Sequence, residues 1–409
     1  MLELAVWGAW AEFAVRWLHV ITAIAWIGSS FYFIALDLGL RKAADMPKGA
    51  HGEEWQVHGG GFYHIQKYLV APERLPEHLI WHKWQSYWTW ISGFILLVLV
   101  YYVGAEFYLI DRELVDLEIW QAIAISVASL AVGWVIYDLL CKSRFGENNT
   151  RLMVLLFVLL VIMAWGYTQV FTGRAALLHL GAFTATIMSA NVFFIIIPNQ
   201  KIVVADLKAG RTPDPKYGKI AKQRSTHNNY LTLPVIFLML SNHYPLAFAS
   251  EFNWLIAGLV FLMGVTIRHF FNTMHMGGGY LWWTWGATTA LFVAIILLST
   301  LGQPREDTTD LASLPPSVAR FAEDPHFEDV YWNVVGHCSM CHATEPLWPG
   351  LYWAPKGIVL ETEAQVARAA QTIYLQSGIS HAMPPGSTVL MDDAARQEIA
   401  DWYRRVTGS

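Results

Sequence analysis

Long apolar runs separated by short polar segments fill the chain up to about residue 302. A helix needs about 20 predominantly apolar residues to cross a hydrocarbon core of about 30 Å. The pattern therefore predicts membrane-spanning helices, and the first run is too long, with no small-residue cleavage site after it, to be a signal peptide. The eight predicted spans are 13–38, 84–104, 118–140, 151–171, 176–198, 229–248, 253–271 and 280–301.

The composition favours a protein that lies mostly in a membrane. Hydrophobic residues make up 55% of the chain and charged residues only 14%, against about 25% charged residues in soluble domains. The net charge of −5 says little about partners, because the charges are segregated between loops. We therefore expect membrane lipid around the helices and no nucleic-acid partner.

The distribution of Lys and Arg among the loops predicts the orientation of the helices. The segments that join spans 1 and 2, 3 and 4, and 5 and 6 are basic, whereas segments 105–117, 172–175 and 249–252 carry few basic residues or none. Basic loops stay on the cytoplasmic side of a membrane. Both termini are therefore predicted to be periplasmic, in a multi-pass protein of a bacterial inner membrane.

An internal repeat relates the two halves of the predicted bundle. The segments that begin LHVITAIAWIGSSF and LHLGAFTATIMSAN place His, Ala, Ser and Phe at matching offsets, so that His19 corresponds to His179. A weaker match relates His82 to His227. We therefore predict four spans followed by four related spans, with a symmetry axis along the membrane normal.

The first of these histidine pairs lies near the outer ends of its two spans. An ionisable side chain inside a membrane is costly and normally has a partner. His19 and His179 are therefore predicted to ligate the iron of a haem b between opposing helices, with Arg16 and Arg174 near the haem propionates. The alternative is that each His bonds a Ser or a backbone carbonyl of a neighbouring helix.

The second histidine pair, His82 and His227, lies at the cytoplasmic edge. Lys83 and Arg224 are close to these residues in the sequence, and long cationic side chains are common at this depth. The pair fits a second haem, a substrate pocket or a plain helix interface. We take the substrate pocket as the working hypothesis.

The pattern changes after the last span. An acidic stretch with prolines, 303–320, is predicted to be a linker. Short amphipathic helices, a haem motif and a Met-containing loop follow, in the order of a small class I cytochrome c. The predicted fold is therefore all-α, with an eight-span helix bundle over 1–302 and a periplasmic cytochrome c domain over 321–409.

The CxxCH motif formed by Cys338, Cys341 and His342 carries the clearest chemistry in the chain. The two thiols can each add to one vinyl group of a haem, while the imidazole that follows reaches the iron. A redox pair or a zinc site is the alternative. Zinc needs two further ligands, and the third cysteine, Cys141, lies on the far side of the predicted membrane. We therefore predict one covalently bound haem c.

The sixth ligand of the haem c iron is predicted to be Met383. Its thioether lies in the stiff sequence Met-Pro-Pro downstream of the CxxCH motif. A Met ligand raises the haem potential relative to a second His, which suits an electron acceptor. His381, two residues earlier, is the competing ligand.

Three segments together resemble the bacterial integral-membrane urate oxidases, also called cytochrome c urate oxidases or urate hydroxylases. They are the run RSTHNNYLTLPVIFLMLSNHYP, the segment HVITAIAWIGSSF of the first span, and the C-terminal CxxCH domain. The resemblance covers nearly the whole chain. It implies oxidation of urate to 5-hydroxyisourate in purine breakdown. It also implies that electrons pass through haem to the cytochrome domain, and on to a downstream cytochrome c or terminal oxidase of the respiratory chain.

The residues at the inner edge of span 6 match the chemistry of urate. A planar monoanion needs a cation, amide or imidazole groups and an aromatic wall. Arg224, His227 and Asn228 supply such groups and, with His82, form the predicted catalytic set, in which a His is the natural base. The alternative is that a polar helix start caps itself. Further candidates are Asn229, Tyr230, Trp84, Arg268 and His269, or Asn242, His243 and Tyr244 if urate binds on the outer side.

Two other classes of function compete with this hypothesis. A haem-bearing membrane module that oxidises quinol would also use His pairs and a fused cytochrome c. A transporter would explain a repeat about the membrane normal, but would leave the cytochrome domain without a purpose. Only the family resemblance separates urate oxidation from quinol oxidation at this stage.

Overall fold

The computed structural model describes residues 4–68, 75–112, 114–301, 310–351, 353–385 and 389–408, and these are mostly helical. The chain forms two compact units. The membrane unit comprises Val15–Asn242 and Ala247–Gly302, and the C-terminal unit comprises Gln303–Ser409 together with Met1–Ala14 and His243–Leu246. The long helices before residue 302 are α1 Leu4–Gly39, α2 Trp84–Leu97, α3 Ile119–Lys142, α4 Asn149–Thr168, α5 Gly173–Lys208, α6 Pro215–Ser241, α7 Asn253–His275 and α8 Trp283–Thr300.

Six of these helices, α1, α3, α4, α5, α7 and α8, are long and apolar enough to cross a membrane. The chain is therefore a membrane protein, and six of the predicted spans are helices of the required kind. Helix α2 is shorter because it continues into a π-helical segment, Val98–Tyr102. Helix α6 begins with a largely polar segment, Pro215 to Asn228. The apolar part that was predicted as a membrane span follows this segment.

Helix α5 lies at the centre of the membrane unit and packs against α2, α3, α4 and α6. Small residues such as Ala175, Ala176 and Gly181 allow neighbouring helices to approach closely. The predicted repeat equates α5 with α1, but the two helices have different surroundings. More than half of the most apolar part of α5 is buried, against none of the corresponding part of α1. The packing of the described residues therefore does not show the expected equivalence.

A close contact fixes the spacing of α6 and α7. Pro234 lies inside α6, where it removes one helical hydrogen bond. Gly264 of α7 faces it, and a Cβ atom at this glycine would lie 2.6 Å from Cδ of Pro234. Only a residue without a side chain permits this approach.

The chain is mostly helical, as predicted, and one β-hairpin that was not predicted interrupts the helices. Strands β1 Ala50–His58 and β2 Gly61–Tyr68 pair antiparallel, with His58 opposite Gly61. Gly59 and Gly60 form the turn with φ values of +60° and +79°, which glycine adopts without strain. The Gly-rich turn between β-prone residues was the signal in the sequence.

The longer helices of the C-terminal unit are α9 Pro316–Ala322, α10 Phe327–Cys338, α11 Glu363–Arg368 and α12 Asp393–Thr407. Its core forms around Trp402, which is fully buried and donates from Nε1 to the carbonyl of Phe321 at 3.0 Å. The rings of Tyr374 and Tyr403 stack with centroids 4.2 Å apart.

Helix α9 corrects the predicted start of this domain. The linker was predicted over 303–320, of which 303–309 lies outside the described residues. From Pro316 onward, however, the chain is helical and buries Val318 and Phe321 in the domain core. Proline at the first position of a helix initiates it rather than breaking it, so the proline pair was misinterpreted as linker composition.

Candidate functional site

Arg224 of α6 is buried and paired with a carboxylate that the sequence analysis did not single out. Its Nη2 donates to Oδ1 of Asp138 in α3 at 2.7 Å, and Lys142 Nζ lies 2.5 Å from the other oxygen of the same carboxylate. The guanidinium of Arg224 therefore already has a carboxylate partner, which it shares with Lys142. This pairing disfavours the predicted role of Arg224 as the cation for an anionic substrate.

Side-chain amides extend this ion pair into a polar network. Arg224 Nη1 donates to Oδ1 of Asn191 at 3.3 Å, which fixes the orientation of that amide because a guanidinium has no acceptor. The Nδ2 group of Asn191 then donates to Tyr137 Oη at 2.9 Å and to Asn228 Oδ1 at 3.1 Å. Asn228 in turn donates to the carbonyl of Met188 at 2.9 Å.

One ring nitrogen of His227 has a partner and the other has none. Tyr137 Oη accepts from Asn191 and lies 2.7 Å from Nδ1 of His227. A phenolic oxygen has two lone pairs and one proton, so this bond fits both tautomers of a neutral imidazole. Among the described residues, the Nε2 atom is buried without a hydrogen-bond partner. Nε2 is therefore the atom through which His227 can act, as a donor in one tautomer and as the predicted base in the other.

Three members of this network, Tyr137, Asp138 and Asn191, were absent from the predicted site. Asp138 is an acidic residue near the end of an apolar run, which marks a functional or paired position in a membrane protein. Asn191 begins a π-helical segment of α5, and such segments often occur at functional sites. The first signal was available in the sequence and the second was not.

His82, by contrast, is exposed, and its ring lies edge-to-face with Phe33 of α1 at 4.9 Å between centroids. His82 therefore contacts α1, whereas Arg224, His227 and Asn228 belong to the network that joins α3, α5 and α6. The side chain of Trp84 is also exposed.

A second buried cluster joins α6 to α7. Arg268 Nε donates to Oδ1 of Asn229 at 3.3 Å and Nη2 donates to Oδ1 of Asn272 at 3.1 Å. Asn272 also donates to Asn229 Oδ1, at 3.0 Å. The guanidinium lies over the ring of Phe31 in α1, 4.2 Å from the ring centroid. Two of the further candidates, Asn229 and Arg268, are thus in direct contact.

The remaining inner-edge candidates are His269 and Tyr230, and Tyr230 is close enough to Arg268 to interact with it electrostatically. The ring of His269 faces Trp283 with centroids 6.3 Å apart, and Tyr230 is half-buried. Among the outer candidates, Tyr244 is exposed and Asn242 Oδ1 is buried without a partner.

Both ring nitrogens of His179 have protein partners. Nδ1 bonds the carbonyl of Ala175 and Nε2 bonds Oγ of Ser126, each at 2.8 Å. The ring of Phe171 lies with its centroid 4.7 Å from that of His179. In His19, the bonds to the carbonyl of Thr89 at 3.0 Å and to Oγ of Ser92 at 3.2 Å both involve Nδ1. These bonds are of the kind that the alternative describes, the haem b stays a prediction, and we derive no step through it.

The arginines predicted for the haem b propionates lie in the N-terminal half of α1 and in the first turn of α5. Arg174 stacks over the ring of Tyr108 with its guanidinium 4.9 Å from the centroid, and its Nε is buried without a partner. Arg16 lies in α1.

The CxxCH motif ends helix α10, and its donor set fits a covalent haem c. Cys338 and Cys341 are free thiols, and neither forms a disulfide. His342 Nδ1 lies 2.8 Å from the carbonyl of Ile358. A carbonyl only accepts, so Nδ1 carries the proton and Nε2 keeps the lone pair that an iron ligand needs. The same bond orients the ring.

Hydrogen bonds fix the backbone of Met383 at both its N–H group and its carbonyl group. The backbone N–H of Met383 donates to the carbonyl of Gln376 at 3.0 Å, and its carbonyl accepts from Arg396 Nη1 at 2.8 Å. Met383 is half-buried, whereas the competing His381 is exposed. A half-buried thioether on a fixed backbone is the better candidate for a sixth ligand.

Comparison with known proteins identifies the membrane unit. The sequence profile of the urate oxidase N-terminal family matches residues 5–299, which include nearly all of helices α1 to α8. No curated protein and no solved structure matches the chain. The profile covers well over half of the sequence. The chain therefore belongs to the urate oxidase N-terminal family.

Proposed function

We propose that this protein oxidises urate to 5-hydroxyisourate within the membrane unit and passes the electrons to a haem c in the C-terminal unit. The family match over residues 5–299 carries the first part of the proposal. The CxxCH motif with the oriented imidazole of His342 supports the second. From there the electrons go to a downstream cytochrome c or terminal oxidase.

The reaction needs a water molecule and an electron acceptor, but no oxygen molecule. Urate monoanion and water give neutral 5-hydroxyisourate, one proton and two electrons, with the new C–O bond at C5 of the purine. Haem c, when bound, supplies a one-electron acceptor. Each urate therefore reduces two equivalents of haem c, or one haem c twice.

The network around α6 offers a way to orient the substrate. We assign the phenolic proton of Tyr137 to the bond with Nδ1 of His227, so that the buried, unpartnered Nε2 carries the imidazole proton. A urate carbonyl is an acceptor of the kind that this donor lacks. Arg224 and Asn228 hold the network in place through Asp138 and Met188. We propose that these residues position His227, and that His82 lines the approach from the cytoplasmic side.

Anaerobic titration of the oxidised, full-length protein with urate tests the proposal. We expect the spectrum of ferric haem c to convert to that of the ferrous form, with one urate consumed for every two haems reduced. A quinol analogue at the same concentration serves as the control for the alternative, a quinol-oxidising module. Reduction by the quinol analogue and not by urate would rule out urate oxidation.

The number of haems needs a separate measurement. A pyridine haemochrome assay on the purified protein distinguishes thioether-linked haem from non-covalent haem b. We expect one haem c for each chain. A stoichiometric haem b signal that disappears in H179A would show that His179 ligates iron in the assembled protein, against the contacts described above.

A further inference from the structure

Arg268 differs from the other buried arginine of the membrane unit because it lacks a counterion. Arg224 has the carboxylate of Asp138. Within the described residues, Arg268 bonds only the neutral amide oxygens of Asn229 and Asn272, and no carboxylate lies within ion-pair distance. Its side chain is 6% exposed. A buried charge without an opposite charge is strongly unfavourable in a folded protein, so the site is incomplete without an anion.

A second observation at the same place also indicates a missing acceptor. Asn229 uses its carbonyl oxygen twice, for Arg268 and for Asn272, which fixes the orientation of the amide. The Nδ2 group is left buried without a hydrogen-bond partner, and Asn229 is 1% exposed. Buried donors normally find an acceptor. The groups of this cluster that still lack an acceptor or a counterion are therefore a hydrogen-bond donor, Nδ2 of Asn229, and the positively charged guanidinium of Arg268.

The flat faces in the cluster limit the shape of the ligand. The guanidinium of Arg268 lies over the ring of Phe31, 4.2 Å from its centroid. This contact covers one face of the guanidinium plane. Nε and one Nη2 hydrogen donate to the two amides, so the edge formed by Nη1 and the second Nη2 hydrogen remains available for in-plane, bidentate bonds. A planar anion with adjacent acceptors matches that edge.

We propose that Arg268, with the Nδ2 group of Asn229, is the site that binds the anionic edge of urate. The identity of the ligand rests on the proposed function, whereas the need for an acceptor-rich anion rests on the cluster itself. Asn272 holds the guanidinium in plane, and Phe31 supports its face. Arg224 has no part in charge recognition, because its guanidinium is already paired with the carboxylate of Asp138.

Binding can be measured separately from turnover. Dithionite-reduced protein cannot accept electrons, so equilibrium dialysis of the full chain in nanodiscs against radiolabelled urate reports affinity alone. We expect R268Q to weaken urate binding by about 30-fold or more, because it removes a charge-assisted, two-bond contact. R268K should lose about 10-fold, since it keeps the charge but not the fork. The control is R211Q, which removes an exposed arginine paired with Asp206 and should bind as the wild type does.

Asn229→Asp gives a test that does not depend on the stability of an arginine variant. The new carboxylate accepts the same two hydrogen bonds, removes the unused Nδ2 donor and gives Arg268 a counterion. We expect N229D to unfold at a higher temperature than the wild type and to bind urate at least 10-fold more weakly. A residue with a purely structural role would not give these opposite changes.

The outcomes separate this inference from the proposed function. If urate reduces haem c, but R268Q and N229D bind it with wild-type affinity, the assignment of Arg268 is wrong and urate oxidation stands. If the reduced wild type binds urate with the expected losses in the variants, but urate never reduces the haem, the binding site stands and the oxidase activity is wrong. If the wild type binds no urate, both proposals fail.

Discussion

Tyr137 Oη lies 2.7 Å from Nδ1 of His227, and the same oxygen accepts a hydrogen bond from Asn191. A residue of α3 therefore orients an imidazole on α6. In the proposed function the phenolic proton occupies this bond, which places the proton of His227 on the nitrogen that faces away from Tyr137, where a substrate acceptor would find it.

Tyr137→Phe should therefore slow urate oxidation without removing the imidazole. Loss of the hydroxyl leaves both Nδ1 of His227 and Nδ2 of Asn191 with one partner fewer, so the tautomer is no longer imposed. We expect the rate of urate-dependent haem c reduction to fall by about 10-fold or more. The matched control is Y167F, which removes another hydroxyl of the membrane unit, one that bonds Ser129. An equal loss in both variants would indicate a general packing effect.

The ion pair between Arg224 and Asp138 should be needed as a pair. Breaking a buried pair leaves an uncompensated charge, at a cost of about 3–5 kcal/mol. We therefore expect R224M and D138L each to give little folded protein in detergent, measured by size-exclusion chromatography. The double variant R224M/D138L removes both charges and should recover much of the folded fraction. A double variant as poorly folded as either single variant would contradict this account.

Met383→Ala should change the haem c spectrum while leaving the covalent attachment intact. We expect loss of the weak red-edge absorption band of Met-ligated ferric haem, together with a lower reduction potential. H381A is the control, since His381 is exposed and lies two residues away. If H381A rather than M383A alters the spectrum, His381 is the sixth ligand.

Asp324 should make the stability of the C-terminal unit sensitive to acid. Burial alone would raise the pKa of Asp324, but hydrogen bonds from Arg405 and from the backbone N–H of His326 outweigh it and lower the pKa below its ordinary value of 3.8. The carboxylate therefore contributes stability above pH 3.8, and this contribution is lost as the pH falls through the lower, folded-state pKa.

The wild type and D324N should accordingly differ in stability at neutral pH and converge at low pH. Thermal unfolding followed by haem c absorbance between pH 6 and about pH 2 measures this dependence. The control is D401N, which alters a more exposed carboxylate near Arg404. Equal slopes with pH in the wild type and D324N would show that the bond to Arg405 has no effect on stability.

Gly264→Ala should disturb the second cluster from a distance. A methyl group would meet Cδ of Pro234 at 2.6 Å, so α7 must move away from α6, at a cost of about 1–3 kcal/mol. The bond between Asn229 and Arg268, already 3.3 Å long, would lengthen. We expect a lower unfolding temperature and weaker urate binding. G286A is the control, because a Cβ at Gly286 meets no atom within 4 Å.

The sequence predicted those features that depend on residues close together in the chain. Apolar runs predicted the helices that are long enough to span a membrane. The spacing of Cys338, Cys341 and His342 in the CxxCH motif predicted that these side chains lie close together. Arg224, His227 and Asn228 were grouped because they share two turns of one helix. These inferences require only helical periodicity and local spacing.

Sequence periodicity does not predict which residues of different helices contact each other. Asp138 is distant from Arg224 in the chain, so nothing local shows that the arginine is neutralised. The bond between Asn229 and Arg268 likewise depends on the register of α6 against α7, which the approach of Pro234 and Gly264 fixes. The predicted histidine pair was a hypothesis about such a contact between helices, and it stays a prediction, while Nε2 of His179 bonds Ser126.

The position of Lys142, one turn after Asp138 on α3, has a consequence for how the protein enters the membrane. Helix α3 is synthesised well before α6, so Asp138 would otherwise wait without Arg224. An unpaired aspartate in a membrane helix opposes insertion, by about 3 kcal/mol at the helix centre and by less near its end, where Asp138 lies. Lys142 Nζ lies 2.5 Å from the Asp138 carboxylate and supplies a counterion from the same helix. The newly made α3 can therefore remain in the bilayer until α6 arrives with its arginine, and biogenesis does not require the two helices to insert together.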